Sequence, residues 1–235
     1  MKIPRVPHSW LLTPRQAVAV QREMASSVSQ VKSPGVLRFV AGLDAAFSSD
    51  GCWCLSAVVL WDALERQLVE QHTARCRLRF PYIPGLLSFR EVPALLAALR
   101  QLRPTPDLLM CDGQGLAHPR RFGIACHVGV ICELPAVGCA KSRLIGEHDQ
   151  PASKRGSRAP LLDRGEVIGT VLRTQNGAKP VYVSSGHKID LPTAQEIVLA
   201  CATKYRLPEP TRLADRLVAA AKRASTVPVE PSGRE

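Results

Sequence analysis

Three acidic residues stand where an apolar segment ends or where a helix begins, positions that can deliver a carboxylate to a shared site. Asp44 ends the apolar run FVAGLD, and Asp112 ends the run DLLMCD before the turn Gly113-Gln114-Gly115. Glu91 lies in the segment SFRE, at the predicted start of a helix. Carboxylate oxygens are the ligands that hard divalent cations prefer, and such a cation can neutralise a phosphodiester and activate a water molecule. The three acids therefore indicate metal-dependent hydrolysis of a phosphodiester.

Each of these acids also has a purely structural interpretation, and the sequence leaves both open. Asp44 and Asp112 can cap turns through their side-chain oxygens. Glu91 can complete a capping box with Ser88 at the third position of its helix. Asp215 lies at the edge of the apolar arc of the last predicted helix. It can lean towards the other acids or remain a solvated or arginine-paired surface residue.

Basic residues close to these acids in the sequence indicate a nucleic-acid substrate. Lys141 ends the strand-like run AVGCA, where its ammonium group can stabilise charge that develops on a phosphoryl group. His118, Arg120 and Arg121 follow the turn after Asp112 and can contact phosphate.

Tyr82 lies in the segment Pro81-Tyr82-Ile83-Pro84-Gly85, where two prolines exclude a helix. A rigid, exposed tyrosine can insert between bases or stack on one, which compensates for the stacking lost when a base leaves the duplex. The alternative is a tyrosine packed beneath its own loop. We predict the exposed arrangement.

The composition is that of a basic globular protein of 235 residues, with 46% apolar and 22% charged residues. Its 31 lysines and arginines exceed its 20 acids, and the net charge of +11 favours polyanions such as nucleic acid or an anionic membrane surface. The eight cysteines show no disulfide framework in their spacing, and several lie in apolar runs. No segment reaches the ~18–20 apolar residues that cross a membrane. We expect a cytoplasmic protein without a membrane partner.

Apolar spacing and turn signals predict one domain of alternating strands and helices. Thr13-Pro14-Arg15-Gln16 has the N-cap, proline and glutamine of a helix start. Ser88 opens a second helix, whose leucines recur at helical spacing through Leu102. The predicted strands cover residues 36–46, 56–62, 67–73, 107–111, 136–140, 166–172 and 181–184, and the later helices cover residues 122–134, 192–205 and a segment from 211. This order is typical of an α/β mixed sheet flanked by helices.

Two segments are predicted to lie outside this regular structure. Residues 147–165 are rich in proline, serine, arginine and glycine and lack apolar periodicity, so we predict a surface loop or short insertion there. Residues 226–235 are polar, and we expect them to form a disordered tail after a domain that covers residues 1–225.

Six segments of the chain, taken together, resemble the endonuclease V family. They are VAGLDAAF, PYIPGLLSFRE, DLLMCDGQGLAHPRRFGIACHVGV, PAVGCAKSRL, VYVSSGHKI and YRLPEPTRLAD. Their order and spacing are similar to those of the family from residue 13 to residue 220, nearly the whole chain. The PYIPGLLSFRE and DGQGLAHPRRFG segments are the most specific of these matches.

The resemblance implies a ribonuclease H-like fold and a catalytic domain over residues 1–225. It also implies a DNA-repair endonuclease that depends on Mg²⁺, with Mn²⁺ as a substitute. Members nick the strand at the second phosphodiester 3′ to a deaminated base, chiefly the hypoxanthine of deoxyinosine, and leave 3′-hydroxyl and 5′-phosphate ends. The expected partner is DNA with deaminated purines, bound by a monomer.

The same resemblance implies roles for individual residues of this chain. The implied metal-binding acids are Asp44, Glu91, Asp112 and Asp215. The implied base pocket consists of Gly85, Leu87, Gly113, His118 and Leu144. Lys141 resembles a catalytic lysine that contacts phosphate, and Tyr82 resembles a wedge that fills the gap left by a flipped base. Gln114 and Cys139 depart from the family pattern beside this pocket, which bears on the base preference and not on the metal chemistry.

Three other functions remain open from the sequence. A ribonuclease that acts on inosine-containing RNA would differ in its contacts to the 2′-hydroxyl groups, which the sequence does not reveal. A non-catalytic nucleic-acid-binding module would use its acids only as caps. A homing or resolvase-like nuclease would read the shape of DNA, and the PYIP segment argues against it because reading shape requires no base pocket.

Overall fold

One mixed sheet of eight strands forms the centre of the protein, in a computed structural model that describes residues 1–31, 35 and 37–226. The strands are β1 (Phe39–Phe47), β2 (Trp53–Asp62), β3 (Gln67–Arg77), β4 (Leu108–Cys111), β5 (Ala136–Ala140), β6 (Arg158–Asp163), β7 (Glu166–Leu172) and β8 (Val181–His187). The helices are α1 (Pro14–Ala25), α2 (Ser88–Leu99), α3 (Ile124–Cys132), α4 (Leu191–Cys201) and α5 (Glu209–Thr226). The predicted α/β sheet flanked by helices is confirmed.

The strand order β3-β2-β1-β4-β5-β8-β7-β6 places three parallel strands in the middle of the sheet. Strand β4 pairs in parallel with β1 and with β5, whereas β2, β3, β6, β7 and β8 form antiparallel pairs. Parallel neighbours require crossover connections, and α2 and α3 are part of them. The carboxyl ends of β1, β4 and β5 therefore meet at one edge of the sheet.

Helices cover both faces of the sheet, which explains the apolar runs of its central strands. The β4 residues Leu109 and Cys111 pack with residues of α2 and α3 on one face. Their neighbours Leu108 and Met110 pack with residues of α4 on the other face. Helix α5 covers β2 on that second face through Ala214 and Val218. The helices on the two faces therefore fix the positions of the central strands, whose carboxyl ends lie beside the acids.

One of the two predicted capping boxes is present. The N–H of Gln16 donates to the Thr13 hydroxyl, and the Gln16 side chain accepts from the N–H of Thr13 at 2.8 Å. The prediction for Ser88 is wrong, because Leu87 is the N-cap of α2 and Ser88 bonds the buried ring of His127 at 3.0 Å instead. A buried polar partner therefore replaces the local cap, and the Glu91 side chain is not needed at the helix start.

The structure corrects two strand boundaries. The first strand was predicted over residues 36–46, whereas β1 begins at Phe39 and continues past Asp44 to Phe47, because β2 pairs with it as far as Cys54; residue 36 lies outside the described residues. Part of the loop predicted over residues 147–165 is wrong, because residues 158–163 form strand β6 at the sheet edge. Its buried side chains are only Ala159 and Leu161, too few to give a periodicity that the sequence could reveal.

Helix α5 ends at Thr226, and residues 227–235 of the predicted tail lie outside the described residues. Among the described helices, none combines the length and the apolar character needed to span a bilayer.

Candidate active site

Three aspartates converge at the edge of the sheet where the parallel strands end. Each of Asp44, Asp112 and Asp215 offers a carboxylate oxygen, and the three oxygens lie within 4.8 Å of one another. The N–H of Asp112 donates to the carbonyl of Leu43 at 3.0 Å, which fixes the first residue after β4 beside β1. The first two acids are thus brought together by the parallel pairing of their strands.

The third acid reaches the cluster because α5 packs unusually close to β1. A Cβ atom on Gly42 would lie 2.1 Å from the backbone carbon of Pro210, so only glycine permits this approach. Asp215 follows Pro210 by little more than one helical turn, and the close packing brings its carboxylate over the end of β1. The position of Asp215, left open by the sequence, is therefore set by contact between the helix and the strand.

Lys141 lies between two of the aspartates. Its Nζ is 2.6 Å from Oδ2 of Asp112 and 2.8 Å from Oδ1 of Asp215. Partial burial lowers the pKa of Lys141, but hydrogen bonds to the two carboxylates outweigh this effect and raise it. The Arg206 guanidinium donates to the carbonyl of Lys141 at 2.7 Å and so fixes the backbone from which this ammonium group extends.

Burial and mutual repulsion make the acids of this site resist ionisation. Burial, followed by the charge of Asp112, raises the pKa of Asp44 to about 7. Burial, followed by the charges of Asp44 and Asp112, raises the pKa of Glu91 to about 8. The pKa of Asp112 is also raised by burial, although Lys141 opposes the shift. Glu91 is 8% exposed and lies near the aspartates without belonging to the group of three.

The donor set at this edge fits a divalent metal ion. Three carboxylate oxygens from three different elements share one small region, and carboxylate oxygens suit hard cations such as Mg²⁺ and Mn²⁺. Strong repulsion among partly buried carboxylates is relieved by a bound cation. The residues that would hold it are Asp44, Asp112 and Asp215, with Glu91 close enough for its pKa to respond to two of them.

A cavity of about 380 Å³ opens beside the acids. It is lined by Glu91, Asp112 and Lys141 together with all five residues predicted for the base pocket and with Tyr82. Tyr82 is 68% exposed. The structure therefore has the exposed arrangement that we predicted, and not the alternative in which the tyrosine packs beneath its own loop. Leu87 and Leu144 are also partly exposed and offer apolar surface to the cavity. A planar ring can enter this space without displacing the core.

The ring of His118 is occupied by protein groups. Its Nδ1 accepts from the N–H of Arg120 at 3.2 Å, and its Nε2 lies 3.0 Å from the carbonyl of Gly85. Burial lowers the pKa of His118 to about 4, and the nearby charge of Arg120 acts in the same direction. The ring is therefore neutral at pH 7 with its proton on Nε2, and it presents packing surface rather than a free hydrogen-bonding group to the cavity.

Two polar residues of this region, Gln21 and Arg206, were not recognised as important from the sequence, whereas Gln114 was noted there as a departure from the family pattern beside the pocket. Gln21 and Gln114 line the cavity, and Arg206 supports Lys141. Gln114 donates to the carbonyl of Ser142 at 2.9 Å and connects the two loops beside the acids. For Gln21 a signal exists, because it occupies the buried stripe of α1 between Ala17 and Met24 at helical spacing.

Comparisons with known proteins agree on one family. The sequence profile described as Endonuclease V matches residues 22–216. The endonuclease V of Trichormus variabilis is 52% identical over 212 residues, which cover 90% of this chain and 96% of that protein. The endonuclease V of Nocardia farcinica is 52% identical over 215 residues, which cover 91% of this chain and 95% of the relative.

Solved structures of the same family superpose closely on this one. The Streptomyces avermitilis endonuclease V has a TM-score of 0.89 at 43% identity, covering 96% of this chain and 100% of that one. The catalytic domain of human endonuclease V has a TM-score of 0.83 at 32% identity, covering 90% and 96%. The Ciona intestinalis enzyme has a TM-score of 0.79 at 26% identity, covering 90% and 98%, and was solved with a 24mer DNA containing an inosine followed by a ribo-adenosine.

Proposed function

The chain belongs to the endonuclease V family, with its ribonuclease H-like fold, and is a nuclease that hydrolyses phosphodiester bonds; from this premise we propose a Mg²⁺-dependent repair enzyme specific for deaminated purines in DNA. It nicks the damaged strand at the second phosphodiester 3′ to the deaminated base, and leaves a 3′-hydroxyl and a 5′-phosphate. Its main substrate is deoxyinosine, and Mn²⁺ substitutes for Mg²⁺.

The observation that carries this proposal is that the carboxylate cluster and the cavity lie side by side and share a residue. Asp112 belongs to the group of three aspartates and also lines the cavity, so a metal-bound phosphate and an extruded base would lie side by side. Tyr82 projects from the same cavity rim with most of its side chain exposed. This arrangement supports cleavage close to a recognised base rather than at any phosphodiester.

In the proposed chemistry, Asp44, Asp112 and Asp215 would hold a divalent metal ion, which would polarise the phosphate and help to activate a water molecule. Lys141 presents a positive charge next to Asp112 and stabilises negative charge that develops on the phosphoryl oxygens. Glu91 is buried and has a pKa of about 8, so its carboxyl group can hold or accept a proton near neutral pH.

In the proposed recognition step, the deaminated base leaves the duplex and enters the cavity. Gly85, Gly113 and the ring of His118 line the cavity that receives the base, and Leu87 and Leu144 pack on the base. Tyr82 takes the place of the base in the stack and so compensates for part of the unstacking free energy. Arginines and lysines elsewhere supply non-specific affinity for the phosphates, consistent with the net charge of +11.

Cleavage-site mapping tests this proposal directly. Matched end-labelled DNA duplexes with inosine or adenine at one position are incubated with Mg²⁺, Mn²⁺ or a chelator. We expect one product, cut at the second phosphodiester 3′ to inosine, with both metals and not with the chelator. Equal cleavage of the adenine strand, or a different cut position, would contradict the proposal.

A second candidate is cleavage of inosine-containing RNA, because the Ciona enzyme was solved with an oligonucleotide whose inosine precedes a ribonucleotide. The same mapping is therefore performed on DNA, on RNA and on DNA with a single ribonucleotide after the inosine. A rate that rises strongly with the 2′-hydroxyl group would make RNA the preferred substrate. Equal rates would indicate that the cavity reads the base alone.

We further propose that the enzyme acts as a monomer in a reducing cytoplasm. All eight cysteines are free, and six of them are buried. Burial suits cysteines that serve as small apolar core residues. Light scattering at working concentrations, with and without reductant, would contradict the proposal if it gave a dimer mass.

A further inference from the structure

We propose that Gln21 of α1 is a positioning residue that sets base discrimination by fixing the loop of residues 82–87, which carries the wedge tyrosine. This inference rests on the proposed function, because it concerns the selectivity of the same cavity. Gln21 lies in none of the motifs that bear the acids or the base pocket.

Three hydrogen bonds to one carbonyl oxygen tie the loop to α1 and to the segment of residues 118–120. The Gly85 carbonyl accepts from Nε2 of Gln21 at 3.0 Å, from Nε2 of His118 at 3.0 Å and from Nη2 of Arg120 at 2.7 Å. We call these four residues the Gly85 clamp. The N–H of Leu86 donates to the carbonyl of Ile83 within the loop, and the carbonyls of Leu86 and Leu87 accept from N–H groups at the start of the adjoining helix α2.

Gln21 is the member that connects the other parts of the clamp. Its Nε2 also donates to the carbonyl of Phe122 at 3.2 Å, and its Oε1 accepts from Nε of Arg120 at 2.5 Å. One amide thus joins α1, the loop at Gly85 and the segment that holds His118 and Phe122. These groups are 64 and 101 residues away from Gln21 in the sequence, so no local interaction replaces it.

Because the Gln21 side chain is buried, loss of its hydrogen bonds would leave its polar atoms without partners. The side chain is 1% exposed, and a buried amide that lost its partners would find no water to replace them. The backbone at Gly85 adds to the constraint, because its φ of +77° favours glycine and a Cβ atom there would lie 2.8 Å from the Arg120 guanidinium. The backbone conformation at Gly85 and the closeness of Arg120 therefore both restrict the packing of the loop.

The clamp fixes the width of the cavity between its two walls. One wall is formed by residues 82–85 and Leu87, and the other includes Gly113, His118 and Ile124. Gln21 binds the first wall at Gly85, and it binds the carbonyl of Phe122, which directly precedes Gly123 of the second wall. Discrimination between similar bases depends on a site that cannot adjust to the wrong one. Loosening the clamp would let the cavity widen and let Tyr82 move.

Two substitutions of Gln21 distinguish the hydrogen bonds that its amide donates from the one that it accepts. Gln21→Met keeps the volume and removes every hydrogen bond of the amide. Gln21→Glu keeps an acceptor for Arg120 but removes the donor to Gly85 and Phe122. Met24→Ala on the same helix is the matched control, because Met24 packs in the hydrophobic core and is not one of the four clamp residues.

The expected result is a fall of about tenfold in the ratio of kcat/KM on inosine to kcat/KM on adenine for both Gln21 variants, because about one net hydrogen bond to the loop is lost. Met24→Ala is expected to lower the Tm and leave this ratio unchanged. In addition, amide hydrogen exchange in residues 82–87 should accelerate in both Gln21 variants and not in Met24→Ala.

Unchanged discrimination together with unchanged exchange in residues 82–87 would overturn the positioning role of Gln21. If the Met variant does not fold, the Glu variant gives the same readouts. The exchange measurement needs no substrate, so it tests the clamp even if the wild-type protein fails to cut inosine-containing DNA. That failure would instead contradict the proposed function.

Discussion

The ammonium nitrogen of Lys141 lies 2.6 Å from Oδ2 of Asp112, inside a group of carboxylates that repel one another. The lysine therefore compensates part of the negative charge at the place where a divalent cation would bind. The same cationic group faces the cavity beside which the scissile phosphate is proposed to lie. One residue thus has a structural role in the metal-free protein and a proposed role in stabilising the reacting phosphate.

Replacing Lys141 by methionine should separate these two roles. We expect kcat to fall by about 100-fold, because a positive charge next to the reacting phosphate is lost. The apparent Mg²⁺ affinity should stay equal or become tighter, because a cation that repels the metal ion is removed. Nicking rates across a Mg²⁺ titration measure both quantities. Lys188→Met, which breaks a surface ion pair with Glu133, is the control and should leave both unchanged. Weaker Mg²⁺ affinity in Lys141→Met would contradict this account.

Asp112→Asn should abolish catalysis while it preserves binding. Loss of a charged metal ligand is expected to reduce nicking of inosine-containing DNA by at least about 100-fold. The dissociation constant for the same DNA in a chelator should change little, because phosphate contacts by basic residues supply most of the affinity. Asp149→Asn, at an exposed position away from the three aspartates, is the matched control. Near-native nicking by Asp112→Asn with Mg²⁺ present would disprove the metal assignment.

Tyr82→Ala should reduce base discrimination without reducing stability. The side chain is 68% exposed, so its removal takes little surface out of the core, and the Tm should stay within a few degrees of wild type. Cleavage next to inosine should fall by about tenfold, because stacking on the ring contributes about 1–3 kcal/mol per base. Tyr82→Phe keeps the ring and should retain most of the activity. The wedge role would be excluded by equal losses on damaged and undamaged strands.

Asp44 and Glu91 should make a contribution to the stability of the metal-free protein that is lost as the pH rises from about 4 to about 8, against the opposing contribution of histidines whose pKa values burial lowers. The pKa values of Asp44 and Glu91 are raised to about 7 and about 8, so the folded state holds these two protons more tightly than the unfolded chain does. This contribution is complete below the unfolded pKa values and disappears as the pH passes the folded ones. Asp44→Asn removes one of the two groups and should show a smaller decline in the free energy of unfolding.

Urea denaturation in a chelator at several pH values measures this decline, and the difference between wild type and Asp44→Asn cancels the histidines common to both. Mg²⁺ should restore stability most strongly at high pH, where the carboxylates are free to bind it. A wild-type profile parallel to that of Asp44→Asn would show that Asp44 does not bind its proton unusually tightly.

Gly138→Ala should damage the site through the backbone alone. A Cβ atom on Gly138 would lie 2.5 Å from both the carbonyl of Gly113 and the N–H of Gly115, so the turn after Asp112 would have to move. We expect a destabilisation of about 1–3 kcal/mol and a large loss of nicking. Gly177→Ala is the control, since a Cβ atom there meets nothing within 4 Å and only its positive φ is strained. Native activity in Gly138→Ala would mean that the position of the turn is not critical.

Local features of the sequence predicted most of the elements correctly. Strand β5 and strand β7 have the predicted bounds, and the capping box of Thr13 with Gln16 is present. These features depend on residues only a few positions apart, so they can be recognised in one amino-acid sequence without knowledge of the fold. Strand β6 was missed because an edge strand buries only alternate side chains and tolerates the proline at position 160.

The motifs also identified the acids, Lys141 and the loop of Tyr82, but only the fold decided how they combine. Asp215 joins the cluster because Gly42 lets α5 lie against β1, and Glu91 is free from the helix cap because Ser88 binds His127. These outcomes depend on contacts between residues far apart in the chain.

The sequence by itself determined the chemistry available to this protein, because residue types and local spacing fix which acids, bases and rings exist and on which elements they lie. Only the tertiary structure decided the charge state of those acids and the width of the cavity. Both depend on burial and on distances such as those from Gln21 to Gly85 and Phe122, which arise when segments 64 and 101 residues apart pack together. Packing of that kind has no signature in a local pattern, because each partner alone is an ordinary buried or surface residue.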